Sequence, residues 1–262
     1  MEERYKARSP ELKNGTVIAF FTAIRFLTIV PLRWQCDKDG ELFQRSVFYF
    51  PVVGMLIGCA GGALTLAVNH IVPHSVSAFL LILFLSAISG FLHLDGLADS
   101  ADGLLSARPA EESLRIMKDS RTGAMGVVAL VVVLLGKYSA LSAMSPAILV
   151  VAALSMPLAG RSAILITMAL QPYARAEGGI GGMFYSSKAR CAALSAAVFL
   201  VVCTLIFSNI RITAVVCIMT AITVLVFSFF CRARIGGVTG DTLGAACELT
   251  EMSVAIGLTS LI

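Results

Sequence analysis

Three carboxylates, Asp95, Asp99 and Asp102, stand at i, i+4 and i+7 within Gly90-Phe91-Leu92-His93-Leu94-Asp95-Gly96-Leu97-Ala98-Asp99-Ser100-Ala101-Asp102-Gly103. On a helix this spacing puts all three on one face. Charges so close repel one another unless a cation joins them. An oxygen-only donor set suits a hard ion, and Mg²⁺ typically takes one or two carboxylates plus water and substrate phosphates. A chance acidic helix end is the weaker explanation, because no basic residue follows before Arg108. His93, two residues before Asp95, is a candidate acid or base.

Three further clusters supply partners for such an ion and for a phosphate. In Arg115-Ile116-Met117-Lys118-Asp119-Ser120-Arg121-Thr122-Gly123, Lys118 and Arg121 offer cations and Asp119 a metal ligand or base. Ile235-Gly236-Gly237-Val238-Thr239-Gly240-Asp241-Thr242-Leu243-Gly244-Ala245 is a glycine-rich loop whose N–H groups, with Thr239, can approach a phosphate. It is not a P-loop, since no Gly-Lys-Ser/Thr follows. Glu248 and Glu251 come next, and nothing in the sequence separates a role in that cluster from simple solvation at the interface. Tyr173-Ala174-Arg175-Ala176-Glu177-Gly178 opens another loop. Arg161 lies inside an apolar run, where a guanidinium costs about 2.5–3.5 kcal/mol on insertion scales, so an anionic ligand or a carboxylate is expected beside it. Lys137 and Arg25 read as side chains that snorkel to a surface.

The elements that must position these groups are membrane helices. Of the 262 residues 58% are hydrophobic and 14% charged, with mean hydropathy +0.89, whereas a soluble domain carries about 25% charged residues. A soluble enzyme and a disordered chain are excluded, and the net charge of +4 is too small and too dispersed for a nucleic-acid module. Seven cysteines without a C-x-x-C spacing read as packing residues. Apolar runs cover 47–69, 76–94, 124–144, 146–170, 190–207 and 212–230, with shorter ones at 15–30 and 252–262. At about 20 residues per span the expectation is an all-α polytopic bundle, a single domain over 1–262, with six full transmembrane helices and short N- and C-terminal apolar segments. If 15–30 does not cross, 16 of the 20 basic residues fall on one side, which the positive-inside rule makes cytoplasmic. Every carboxylate falls there too, including those of 231–251, and 70–75, 145 and 208–211 become short outer loops. Gly54, Gly58 and Gly62 form a small-residue stripe for helix packing. The residues alone therefore describe a membrane-embedded Mg²⁺ enzyme that handles a phosphate or pyrophosphate at the cytoplasmic face.

The sequence also resembles the cobalamin synthase family of adenosylcobinamide-GDP ribazoletransferases. Matching strings are Phe50-Pro51-Val52-Val53-Gly54, Phe91-Leu92-His93-Leu94-Asp95-Gly96-Leu97-Ala98-Asp99 with Asp102-Gly103, Ile116-Met117-Lys118-Asp119-Ser120-Arg121, Gly160-Arg161, Tyr173-Ala174-Arg175 with Glu177-Gly178, and Thr239-Gly240-Asp241-Thr242-Leu243-Gly244-Ala245. They occur in the family's order from about residue 20 to 255. One departure is near the N-terminus, where Phe26-Leu27-Thr28-Ile29-Val30-Pro31 lacks the family's Arg before the proline, leaving Arg25 one turn earlier. The resemblance implies a transferase of the bacterial cytoplasmic (inner) membrane that joins adenosylcobinamide-GDP to α-ribazole or its 5′-phosphate and releases GMP. Its expected site has Asp95, Asp99 and Asp102 on Mg²⁺, with Asp119 or Asp241 completing the metal shell or taking the hydroxyl proton. Lys118, Arg121, Arg161 and Arg175 would bind phosphates. The partners are then small molecules and the lipid bilayer, with the oligomeric state left open.

Three rivals fit less well. A CDP-alcohol phosphotransferase expects an Arg where Asp99 stands, and a prenyltransferase wants two aspartate-rich motifs. An ion transporter would carry ionisable groups at mid-bilayer in interrupted helices, whereas here only Arg161 reads as deep.

Overall fold

The structure, a computed structural model, describes residues 15–32, 39–175, 180–185 and 188–261. Residues 1–14, with Arg33, Cys36, Lys38, Glu177 and Gly178, lie outside the described residues. The apolar runs become helices: α1 (Gly15–Leu27), α2 (Asp39–Ser46), α3 (Phe50–Val68), α4 (His74–Ile88), α5 (Leu92–Leu104), α6 (Ala110–Ile116), α7 (Ala124–Ala143), α8 (Pro146–Leu170), α9 (Ala189–Phe207), α10 (Ile210–Ile235) and α11 (Gly240–Leu258). Among the described residues the sole sheet-like pairing is an isolated parallel bridge between Tyr173 and Val238. Among the described residues five helical stretches are long and apolar enough to cross a bilayer: Phe43–Val68, α7, α8, α9 and α10. A sixth is obtained by joining α4 to α5 across an 87° bend. The chain is thus an all-α, multi-pass membrane bundle. α1, at 13 residues, spans about 20 Å and is too short to cross a core of about 30 Å.

α8 is the axis of the bundle, with 78% of its apolar window buried, against 22–28% for α7, α9 and α10. The outer helices present Val128, Val132, Val198, Ile206, Val226 and Phe229 outward, as lipid-facing helices do. Lipid removes the hydrophobic drive between helices, so close approach depends on small residues. A Cβ at Gly54 would stand 2.5 Å from the Pro157 carbonyl oxygen of α8, and one at Gly58 2.8 Å from that of Leu154. The first two members of the glycine stripe are therefore what seats α3 on α8.

Two expectations change. The run 76–94 is not one straight crossing. α4 stops at Ile88, and Gly90 and Phe91 both adopt φ +59. The Phe91 N–H donates to the Ser86 carbonyl at 2.9 Å and the Ile29 N–H to that of Ile88 at 2.8 Å, so the freed carbonyls of the helix end are satisfied. α5 consequently leaves the span direction and carries the acidic triplet across the bundle end.

The second change concerns 231–251, expected as a surface loop followed by a separate apolar segment. α10 instead runs to Ile235, and α11 enters the bundle core as one helix from Gly240 to Leu258. Glu248 and Glu251 are buried, and so is Lys137, which therefore does not snorkel. Hydropathy hid this helix because its carboxylates are neutralised by cations far away in the chain.

Candidate active site

The acidic helix α5 is held by α11 through a missing side chain. A Cβ at Gly96 would lie 2.8 Å from the Asp241 carbonyl oxygen, and one at Gly244 would lie 3.3 Å from His93 Cα. These two glycines let the helices touch backbone to backbone, which brings Asp241 beside Asp95. Thr239 starts α11: its hydroxyl accepts from the Thr242 N–H at 3.3 Å, and the Thr242 hydroxyl accepts from the Thr239 N–H at 2.7 Å. This reciprocal cap uses the Thr239 side chain, which is buried.

Arg175 arrives by a different route. The loop after α8 pairs with the loop before α11: the Ala174 N–H donates to the Val238 carbonyl at 2.8 Å and the Val238 N–H to that of Pro172 at 3.0 Å. Gly237 permits it, since a Cβ there would collide with the Pro172 carbonyl oxygen. The pairing delivers Arg175 Nη2 to Asp241 Oδ2 at 2.7 Å. Asp95, Arg175, Asp241 and His93 then line one cavity of about 340 Å³, whose other walls include Phe26, Phe50 and Phe184.

Further along α5 the carboxylates diverge in use. Asp102 accepts from the N–H groups of Gly123 and Gly126 at 2.6 and 2.8 Å, so both its oxygens cap the start of α7. Asp99, on the segment turned out of the span, is half-buried. The charged groups that act on it are Asp95, Asp241, Asp102 and Arg175. Asp119 lies on the surface loop before α7 and pairs with Arg121 at 2.7 Å. Hydrogen bonds from the Arg121 side chain and backbone hold its carboxyl at about 2, and Lys118 is exposed nearby. Seven residues of helix, about 10 Å, thus separate the cavity at Asp95 from the basic loop anchored at Asp102.

Arg161 is 1% exposed, and its guanidinium is ion-paired with Glu251. Lys137 Nζ lies 2.7 Å from Glu248 and 2.6 Å from Glu251, which makes a four-charge network of zero net charge. The carboxylate partner that Arg161 demanded is therefore Glu251. On its other side Arg161 Nη2 approaches His93 Nδ1 at 3.4 Å. A guanidinium can only donate, so Nδ1 accepts and the proton of the ring sits on Nε2.

Of the residues singled out in the sequence, the structure brings Asp95, His93, Arg175 and Asp241 to the cavity. Lys118, Asp119 and Arg121 stay on the adjoining surface loop, Thr239 is in a helix cap, and Arg161 is enclosed in the network. Among the described residues no three His, Cys, Asp or Glu side chains converge closely enough to cage a metal ion. What remains, Asp95 and Asp99 with the Arg175-paired Asp241 close by, is a crowded oxygen donor set with one cation among three carboxylates. It fits an ion that takes one or two carboxylates and fills its shell with water and phosphate. Sequence reasoning missed the aromatic wall and the Lys137 network. A lysine in mid-run and two glutamates three apart were the only signals for the network.

The chain matches the cobalamin-5-phosphate synthase family over residues 19–259. A protein of Desulforamulus reducens named adenosylcobinamide-GDP ribazoletransferase is 38% identical over 231 residues, covering 87% of this chain and 91% of its own. Proteins of the same name from Clostridium acetobutylicum and Clostridium novyi are 32% and 30% identical, covering 87% and 90% of this chain and 90% and 94% of their own. No solved structure matches. With nearly the whole chain and every cavity element inside the matched region, the chain belongs to the cobalamin-5-phosphate synthase family.

Proposed function

We propose that the protein is a Mg²⁺-dependent transferase of the bacterial inner membrane, working at its cytoplasmic face. It joins adenosylcobinamide-GDP to α-ribazole or α-ribazole 5′-phosphate, forms adenosylcobalamin or its 5′-phosphate, and releases GMP. This is the assembly of the nucleotide loop in cobamide synthesis. The observation that carries the reading is the meeting of Asp95, Asp241 and Arg175 at one cavity, with the cation-bearing loop of Lys118 and Arg121 one helix segment away.

The ribazole hydroxyl oxygen attacks the phosphorus bearing the cobinamide. The bond from that phosphorus to the bridging oxygen breaks, and GMP leaves with the electron pair. Asp241, which accepts from Arg175 and, at 3.3 Å, from the Thr239 hydroxyl, takes the hydroxyl proton in this reading. Arg175, Lys118 and Arg121 supply donors for the diphosphate oxygens. Asp95 and Asp99 would hold Mg²⁺, whose chemistry when bound is to neutralise charge on the diphosphate and the departing nucleotide. Arg161 supports the site through His93 and does not itself reach a phosphate.

The test is GMP release from adenosylcobinamide-GDP by purified protein in detergent, with and without α-ribazole and Mg²⁺. Release that needs both supports the reading. Release that ignores the acceptor, or no release under any condition, rejects it.

A further inference from the structure

The cavity divides into two chemically different parts. Phe26 of α1 and Phe50 of α3 meet Phe184 with ring centroids 4.7 and 5.5 Å apart, and Ile164, Met168 and Leu243 complete an apolar wall. The other part is polar, made by Asp95, Asp241, Arg175 and His93. His93 is 2% exposed. Its Nδ1 faces Arg161, and its Nε2, which carries the proton, has no hydrogen-bond partner among the described residues.

We propose that this cavity seats the acceptor nucleoside. An apolar bicyclic base of the alkylbenzimidazole kind would lie among Phe26, Phe50 and Phe184, with its ribose turned toward Asp95, Asp241 and Arg175. The inference rests on the transferase reading above and names which substrate takes the enclosed volume. Size argues for it: about 340 Å³ is near the lower bound of roughly 300 Å³ for small-molecule pockets. That is of the order of a nucleoside and far below a corrinoid with its amide arms. Polarity separates the two bases present in the substrates. Guanine carries donors and acceptors around its edge that phenyl rings and aliphatic side chains leave unpaired, at a cost for each. An alkylbenzimidazole presents mostly hydrocarbon and aromatic faces, which stack on Phe side chains. The corrinoid then stays outside, toward the lipid or the loop of Lys118.

The experiment uses full-length protein in detergent. Calorimetry on the wild type is expected to show saturable binding of dimethylbenzimidazole riboside that guanosine does not displace. Displacement by guanosine at similar concentration, or no riboside binding, overturns the assignment. In steady state Phe184→Leu is expected to raise KM for the acceptor about tenfold and to leave KM for adenosylcobinamide-GDP within about twofold. A rise confined to the donor overturns the assignment while leaving the transferase reading intact. Riboside binding without any GMP release has the opposite meaning, since the transferase reading then fails and the cavity assignment stands. Ile164→Trp, which fills the cavity from a rigid helix, is the second variant should Phe184→Leu not fold, and it is expected to abolish riboside binding. Unchanged riboside binding in Ile164→Trp overturns the proposal.

Discussion

Lys137 and Glu251 are 114 residues apart in the chain and 2.6 Å apart in the bundle. That contact, with Arg161 on the other oxygen of the same carboxylate, is what lets a helix carrying Glu248 and Glu251 lie at the centre of a membrane protein. Neutralising one partner of such a pair leaves an uncompensated buried charge, which costs about 3–5 kcal/mol. Lys137→Met should therefore lower the thermal midpoint in detergent strongly. Lys137→Met combined with Glu248→Gln, which restores neutrality, should recover much of the loss. A Lys137→Met protein that melts with the wild type would remove the network from any account of stability.

The two ends of the acidic helix should separate under mutation. Asp95→Asn is expected to stay folded and to lose about 10²-fold or more in kcat. Asp102→Ala, which strips two acceptors from the start of α7, should cost about 0.5–2 kcal/mol of stability, as the loss of a helix cap does. Asp102→Asn keeps one acceptor oxygen and should lie between Asp102→Ala and the wild type in a melting series. Wild-type turnover by Asp95→Asn would sink the assignment of the site.

Glycine geometry gives a sharper contrast. At Gly96 an added Cβ stands 2.8 Å from the Asp241 oxygen, whereas at Gly62 the nearest atom is an ordinary 3.7 Å away. Gly96→Ala must push α11 off α5, at about 1–3 kcal/mol, and should reduce activity more than its stability loss explains. Gly62→Ala should be neutral or slightly stabilising, because alanine favours the helix by about 0.5–1 kcal/mol. Equal activity in the two variants would show that the α5–α11 contact does not set the position of Asp241.

Arg175→Lys keeps the charge beside Asp241 and loses the planar fork. Its expected signature is a raised KM for the diphosphate donor with partial kcat, where Arg175→Ala loses both. Kinetics that match the wild type in Arg175→Ala would detach Arg175 from the substrate.

Chelation should abolish GMP release and Mg²⁺ should restore it. Ca²⁺, which prefers more and longer oxygen contacts, should restore it poorly. Full activity in the presence of a chelator would remove the ion from the reaction.

What the sequence determined by itself was local. Spacing alone put Asp95, Asp99 and Asp102 on one helical face, runs of apolar residues marked the spanning helices, and the glycines at 54, 58 and 62 marked a packing stripe on α3 without naming its partner. All of these depend on residues a few positions apart, which is the range over which helical periodicity speaks. Tertiary structure decided the use of each group. Asp102 turned out to accept from Gly123 and Gly126, 21 and 24 residues away, while Arg175 reaches Asp241 across 66 residues and Arg161 reaches His93 across 68. Burial of α11 could not be read in advance either. A carboxylate in an apolar environment is prohibitive alone and tolerable when paired, and its partner is a matter of which distant helix packs against it.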